Sequence, residues 1–375
     1  MDIITSRQRL LRTLKGEPTD RIAISLYEFD GIYDSWIHNH PEYEAILKYA
    51  EGKTDRLYFW NPIGDKPVLF LGEVTPEIIR ADTWKKGDSA YTRTTVKTPR
   101  GEISNLVRQD DNIHTCWELE EFCKTEEDAE KVISLPYIPY KPLVGSFFEL
   151  DKNLGESGIV LGDFPDALCL TVGIFGFSRF LMIYTDNPSL IFRLLNFFQE
   201  RILDYARHLL EKGAVTLYRI VGPEYATPPY LSPTVFDELV TGYDRELIVL
   251  FHKYGARVRL HAHGKIRKVL ASFLEMGIDA TDPVEPPPDG DVTLAEARKV
   301  LGSKVTLFGN IEERLFEIGT KNDVEEAVRK AIEEGASGGP FVLCPTAMPL
   351  ATPLDRKIQE NIIHYIDCGL KYGKV

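Results

Sequence analysis

No apolar run in the 375 residues approaches the ~18 that a membrane helix needs. The opening stretch MDIITSRQRLLRTLKGE holds no apolar core of the signal-peptide kind. Both absences make a cytoplasmic protein the expectation. Cysteine is scarce: Cys116, Cys123, Cys169, Cys344 and Cys368 are scattered, odd in number, and none falls in a Cys-x-x-Cys. In a chain this long, that argues for reduced thiols or metal ligation rather than a disulfide framework. No Gly-x-Gly-x-x-Gly follows the early strands, which weakens a doubly wound dinucleotide-binding sheet. Low-complexity tracts and short internal repeats are also missing. Positive charge is in deficit: 44 Lys and Arg stand against 57 Asp and Glu, a formal net charge of -13. Nucleic acid and anionic membrane surfaces repel such a chain, so neither is expected as a partner.

What is present is an ordinary globular composition, 43% hydrophobic and 27% charged. SRQRLLRTLKG (6–16) reads as a short helix closed at Gly16. From about 82 to 120 apolar and polar residues alternate around a Pro99-Arg100-Gly101 turn, which predicts an antiparallel β insertion or cap. After residue 158, strands alternate with helices. PSLIFRLLNFFQERILDYARHLLEKG (188–213) is a long amphipathic helix, and SPTVFDELVTGYDRELIVLFHKYG is a helix capped by Ser232 ahead of Pro233. Eight strands are expected, at 21–27, 55–60, 159–163, 214–222, 257–263, 278–282, 304–309 and 341–345. Few of them alternate, as befits strands covered on both faces. This rhythm predicts an α/β protein: one (β/α)8 TIM barrel over 1–375 with the β insertion inside it, an open doubly wound sheet being the runner-up.

Reacting groups of a barrel gather at the C-terminal ends of its strands. RVRLHAH ends in His261 and His263, and period-2 alternation would put both imidazoles on one face. FVLC ends in Cys344. Glu224, Asp282 and Asn310 each follow a strand. Two imidazoles and a thiolate with one open position is a zinc-type donor set. A single strand-end histidine is more often a satisfied rim residue, and Cys344 alone more often a small buried hydrophobe; the coincidence of three carries the metal reading. Glu224 and Tyr225 are candidate catalytic residues. Tyr230, Asp282 and Asn310 are candidates for touching substrate. The aromatic run IFGFSRFLMIY (174–184) reads as a packed helix, EPPPDGD (285–291) as a rigid mouth loop, and the other four cysteines as structural. A His-x-His amidohydrolase would need later histidines, and only His364, in a helical tail, follows His263.

GEPTDRIAIS, SPTVFDEL, RLHAHGKI, GIDATDPVEPPPDGDVTLAEARKVLGSKVTLFGNIE and CPTAMPLATPLDRKIQENI together resemble the uroporphyrinogen decarboxylase superfamily, most closely from about 215 onward. The resemblance implies the same barrel. One arm of that superfamily decarboxylates a polyanionic tetrapyrrole without metal, gripping it with an N-terminal arginine-rich segment. The corresponding stretch here, SLYEFDGIYDSW, is acidic and has no arginine. The other arm comprises zinc-dependent methyltransferases that work with corrinoid (cobalamin) carried by a partner protein. Its ligand pattern, His-x-Cys followed much later by Cys, maps onto His261 and Cys344, with His263 at the middle cysteine. Glu224 stands at that arm's carboxylate position. The resemblance thus implies methyl transfer between a small donor, or a thiol acceptor, and a corrinoid protein. A decarboxylase-like enzyme acting on another carboxylate, or a barrel that only binds, are the alternatives. Exchanging a thiolate for an imidazole leaves zinc more positive and more electrophilic, unless Glu224 compensates, which suits removing a methyl from a donor.

Overall fold

The computed structural model describes residues 4–27, 36–62, 64 and 66–374. All eight expected strands form: β1 (Ala23–Ile24), β2 (Arg56–Trp60), β3 (Gly158–Pro165), β4 (Leu217–Val221), β5 (Arg257–His261), β6 (Ala280–Asp282), β7 (Thr306–Ile311) and β8 (Phe341–Pro345). They make one parallel sheet in the order β1-β8-β7-β6-β5-β4-β3-β2, so each strand lies beside its sequence neighbours. The sheet curls until its two end strands meet. The Asp55 N–H, at the foot of β2, donates to the Ile24 carbonyl at 2.6 Å, and its carboxylate accepts the Ile24 N–H at 2.9 Å. Arg9 and Arg21 clamp the same buried carboxylate at 2.6 and 2.7 Å.

Alternation along the strands sorts their faces. Tyr218 of β4 points outward and stacks on Phe251, 4.5 Å away, in the helix Gly242–Lys253. Arg219 points inward, pairs with Asp163 of β3 at 2.7 Å, and lies over the Phe59 ring of β2. Arg259 of β5 lies over the Phe308 ring of β7 and faces Asp282 of β6. The interior is therefore a layer of paired charges over aromatic rings.

The long helix spans Pro188–Glu211, and the first helix spans Ser6–Lys15 with a Thr5–Gln8 capping box and Gly16 at φ 68°. Ser232 caps Pro233–Phe236, and the run continues through a π-helical stretch, Asp237–Thr241, into Gly242–Lys253. The aromatic run is not one helix. It breaks at Gly176 into Ala167–Phe175 and Phe177–Asp186, where φ is 73° and a Cβ would meet the Glu121 carboxylate at 2.2 Å. Among the described residues, no single helix is long and apolar enough to cross a membrane.

The alternating segment forms a four-stranded antiparallel sheet, Ile79–Lys86, Ser89–Thr98, Gly101–Asp110 and Cys116–Glu120. Its loop at 112–114 bonds residues 350–352, just beyond β8: the His114 N–H donates to the Leu350 carbonyl and the Thr352 N–H to the Asn112 carbonyl. The sheet thus touches the side where the strands end.

Candidate active site

Parallel register lines up the strand ends. His261 is level with Val221 of β4 and with Asp282 of β6, and Asn310 is level with Cys344. β5 stops at His261, two residues short of its expected end. The Ala262 N–H still reaches the Asp282 carbonyl at 2.9 Å, and Gly264 then turns the chain at φ 85°. His263 therefore reaches the mouth from a turn, and strand alternation does not govern where its ring points.

Each imidazole is held through Nδ1 by its own carboxylate: His261 by Asp282 at 2.9 Å and His263 by Glu285 at 2.7 Å. Glu285 also accepts the Gly264 N–H at 2.6 Å, fixing the turn that carries His263. The rings meet edge to face with centroids 4.6 Å apart. A carboxylate on Nδ1 sets the tautomer and leaves Nε2 as the outward nitrogen, the arrangement metal-binding histidines use. Burial pulls the His263 imidazole down, but the Glu285 carboxylate outweighs it and the net shift is upward. Burial would raise Asp282; the charges of Arg259 and His261 hold it far below the usual aspartate range instead.

Glu224, Tyr225 and Tyr230 share one cavity with His263, Glu285, Asp289 and Lys265, about 510 Å³ in volume. Phe177 packs against Tyr230 and Tyr225 with centroids 4.9 and 5.9 Å away, and with Pro228 and Pro229 it forms the apolar wall. Burial pushes the Tyr225 phenol up to about 12, so it keeps its proton at neutral pH. Three carboxylates against one lysine make the mouth acidic.

The other expected site residues lie elsewhere. Asp282, read from sequence as a substrate contact, is 1% exposed and committed to His261 and Arg259. Asn310 donates to the Val284 carbonyl at 3.1 Å and lines a separate cavity of about 380 Å³ with Glu312. Cys344 is buried, 1% exposed. Its thiol is not gathered with His261 and His263: among the described residues, the trio whose ligand atoms all lie within 4.8 Å of one another is Glu325, His364 and Cys368. The acidic segment SLYEFDGIYDSW falls, over 28–35, outside the described residues.

Sequence reasoning missed Glu285, Arg219, Arg259 and a carboxyl pair, Asp166 and Asp244. Arg219 and Arg259 had a signal, since each is a charge inside a strand read as buried, and Arg259 lies two residues before His261. Asp166 caps the helix Ala167–Phe175, and its Oδ1 comes so near Gly222 that a Cβ there would lie 2.0 Å away. Asp244 is also 1% exposed, and Oδ2 of each aspartate has no hydrogen-bond partner among the described residues. Burial raises Asp166, and the Asp244 charge adds to it; burial and then Glu224 raise Asp244. A carboxyl raised on folding contributes stability that is full below its unfolded value, near 3.8, and is lost as pH rises through the folded value. Asp244→Asn removes that loss and supplies a donor. The variant gains about 1–3 kcal/mol over the parent at neutral and alkaline pH, and the advantage shrinks toward pH 4. Urea melts across that range check it; a variant less stable at pH 8 than the parent excludes the assignment.

Residues 166–356, just over half of the chain, match the family described as uroporphyrinogen decarboxylase (URO-D). The chain belongs to that family. A uroporphyrinogen decarboxylase of Oryza sativa subsp. japonica is 22% identical over 199 residues, 52% of this chain and 47% of that one. The chain thus spans about half the length of the plant decarboxylases it matches. A methylcobamide:CoM methyltransferase of Methanosarcina barkeri is 22% identical over 372 residues, 95% of this chain and 96% of that one. Among solved structures, a methyltransferase from Methanosarcina mazei covers 98% of this chain and 99% of its own, with a TM-score of 0.62 at 15% identity, and so shares the fold. A member of the methyltransferase-like arm of the superfamily thus matches along the whole length.

Proposed function

We propose that this protein is a single (β/α)8 barrel, capped by its antiparallel sheet, that moves a methyl group between a small donor and the corrinoid of a partner protein in the cytoplasm. The observation that carries this reading is the pair of carboxylate-backed histidines, one of them opening onto an aromatic-walled cavity. His261 and His263 would hold a zinc ion through Nε2, with Glu224, which lines the same cavity as His263, as a further donor and with Cys344 joining only on a shift from the buried place it holds here. Zinc bound there supplies Lewis acidity toward the heteroatom that gives up the methyl. The chain's own residues do the rest. Asp282 and Glu285 keep each Nε2 turned outward. The Tyr225 hydroxyl can donate to the substrate heteroatom. Phe177, Pro228, Pro229 and Tyr230 exclude water and pack the substrate's carbon skeleton.

Glu224, Glu285 and Asp289 around the cavity favour a neutral or cationic donor over a polyanion, which argues against decarboxylation of an anionic substrate. Two imidazoles with one thiolate favour demethylating the donor once the substrate heteroatom takes the place of Glu224, whose charge otherwise offsets that of the site. The test is to mix the protein with cob(I)alamin and a panel of methyl ethers and methylamines and follow the methyl-cobalt spectrum. Methylation of cobalt by at least one donor is expected. If none reacts while methylcobalamin plus a thiol is consumed, transfer runs the other way; if neither proceeds with a corrinoid partner present, the reading is wrong.

A further inference from the structure

On the outer layer, the helix Lys321–Ala336 packs against the C-terminal helix Arg356–Tyr372. His364 and Cys368 lie one turn apart on the second helix, and their Nε2 and Sγ atoms are 3.4 Å apart. Glu325 of the first helix turns Oε2 toward the same Nε2 at 4.0 Å. Its other oxygen, Oε1, is held by the Lys371 ammonium at 2.8 Å and by the Tyr372 hydroxyl. The three ligand atoms lie within 4.8 Å of one another. Tetrahedral zinc, with Zn–N of about 2.0 Å and Zn–S of about 2.3 Å, needs N to S near about 3.6 Å and N to O near about 3.4 Å. Both contacts are within about 0.6 Å of that geometry before any adjustment.

We infer that Glu325, His364 and Cys368 form a second divalent-cation site, of zinc type, that clips the C-terminal helix to its neighbour. The donor set is one imidazole, one thiolate and one carboxylate, with a fourth position open to water. Cys368 is 2% exposed, so the thiolate side is shielded, while His364 and Glu325 keep side-chain exposures of 25% and 31% that let a cation in. Lys371 and Tyr372 orient the carboxylate as supporting groups do around bound metals. Burial pushes the Cys368 thiol up to about 11, so a cation must displace its proton. The clip acts on the sheet as well, because the Tyr365 hydroxyl on the same helix lies within hydrogen-bond reach of the Ser25 carbonyl, just past β1, and the Leu343 carbonyl of β8, sharing its one proton between them.

Cobalt(II) titration of the full chain carrying Cys344→Ser tests this apart from the mouth, since that background lacks the proposed active-site thiol. One equivalent of cobalt with a sulfur-to-metal charge-transfer band is expected, together with a zinc-dependent rise in melting temperature. Adding Cys368→Ser, or separately His364→Ala, should abolish both signals. If the band is absent in the Cys344→Ser chain, or survives either second substitution, the site does not exist. Neither result bears on methyl transfer at the mouth.

Discussion

His263→Ala lowers methyl transfer about 100- to 1,000-fold and costs the protein its mouth metal, while the fold survives. A Lewis acid at a reacting heteroatom is worth several kcal/mol, and each 1.36 kcal/mol is tenfold in rate. The fold survives because His263 stands past the end of β5 on a turn, with 39% of its side chain exposed, and its partner Glu285 keeps the Gly264 N–H. His263→Cys separates donor identity from mere occupancy. It restores the His-x-Cys pattern and is expected to keep the metal, with activity moved toward thiol methylation from methylcobalamin. Metal content by elemental analysis and rates in both directions check both variants. Undiminished metal and rate in His263→Ala would remove this histidine from the chemistry.

Asp282→Ala destabilises the protein by about 3–5 kcal/mol, the loss that follows when one partner of a buried ion pair is removed and the other charge stays behind. The stranded charge is the Arg259 guanidinium, 1% exposed. The pair is close but poorly aligned: Nε and Oδ1 are 3.1 Å apart, yet neither completes a hydrogen bond. Coulomb attraction therefore dominates over directed bonding. The pH dependence follows from the direction of the shift. A carboxyl lowered on folding contributes stability that is present above its unfolded value, near 3.8, and is lost as pH falls through its lower folded value. The parent protein loses this contribution only in strong acid, and the variant has none to lose, so their stabilities converge there. Denaturant melts at pH 7 and below 3.8 measure the convergence; an equal gap at both would show that Asp282 is not ionised in the fold.

The sheet was legible because each strand announces itself by a β-branched or apolar run between a helix end and a polar loop, and all eight lie where expected within a few residues. The His-x-His at the end of β5 was legible for the same reason. Its geometry was not, because whether a strand stops at His261 or His263 depends on Gly264 and on a carboxylate 22 residues away in sequence. EPPPDGD reads as a stiff loop, and nothing in its composition says that its first residue holds an imidazole. Asp282 misled in the opposite way: a carboxylate at a strand end suggests the mouth, but Arg259, two residues before His261, draws it inward. Pairings of this kind depend on register between strands, which a linear pattern does not carry.

Between β1 and β2 the backbone link is a single hydrogen bond from Asp55 to Ile24 among the described residues, where every other neighbouring pair shares a ladder of two or more residue pairs. A sheet opens where it has least to break, so amide exchange is expected to start at this junction. What resists that opening is electrostatic: two guanidinium groups on one buried carboxylate act as a latch in place of a ladder. Charge at residues 9, 21 and 55 thus holds the edge that the ladder does not.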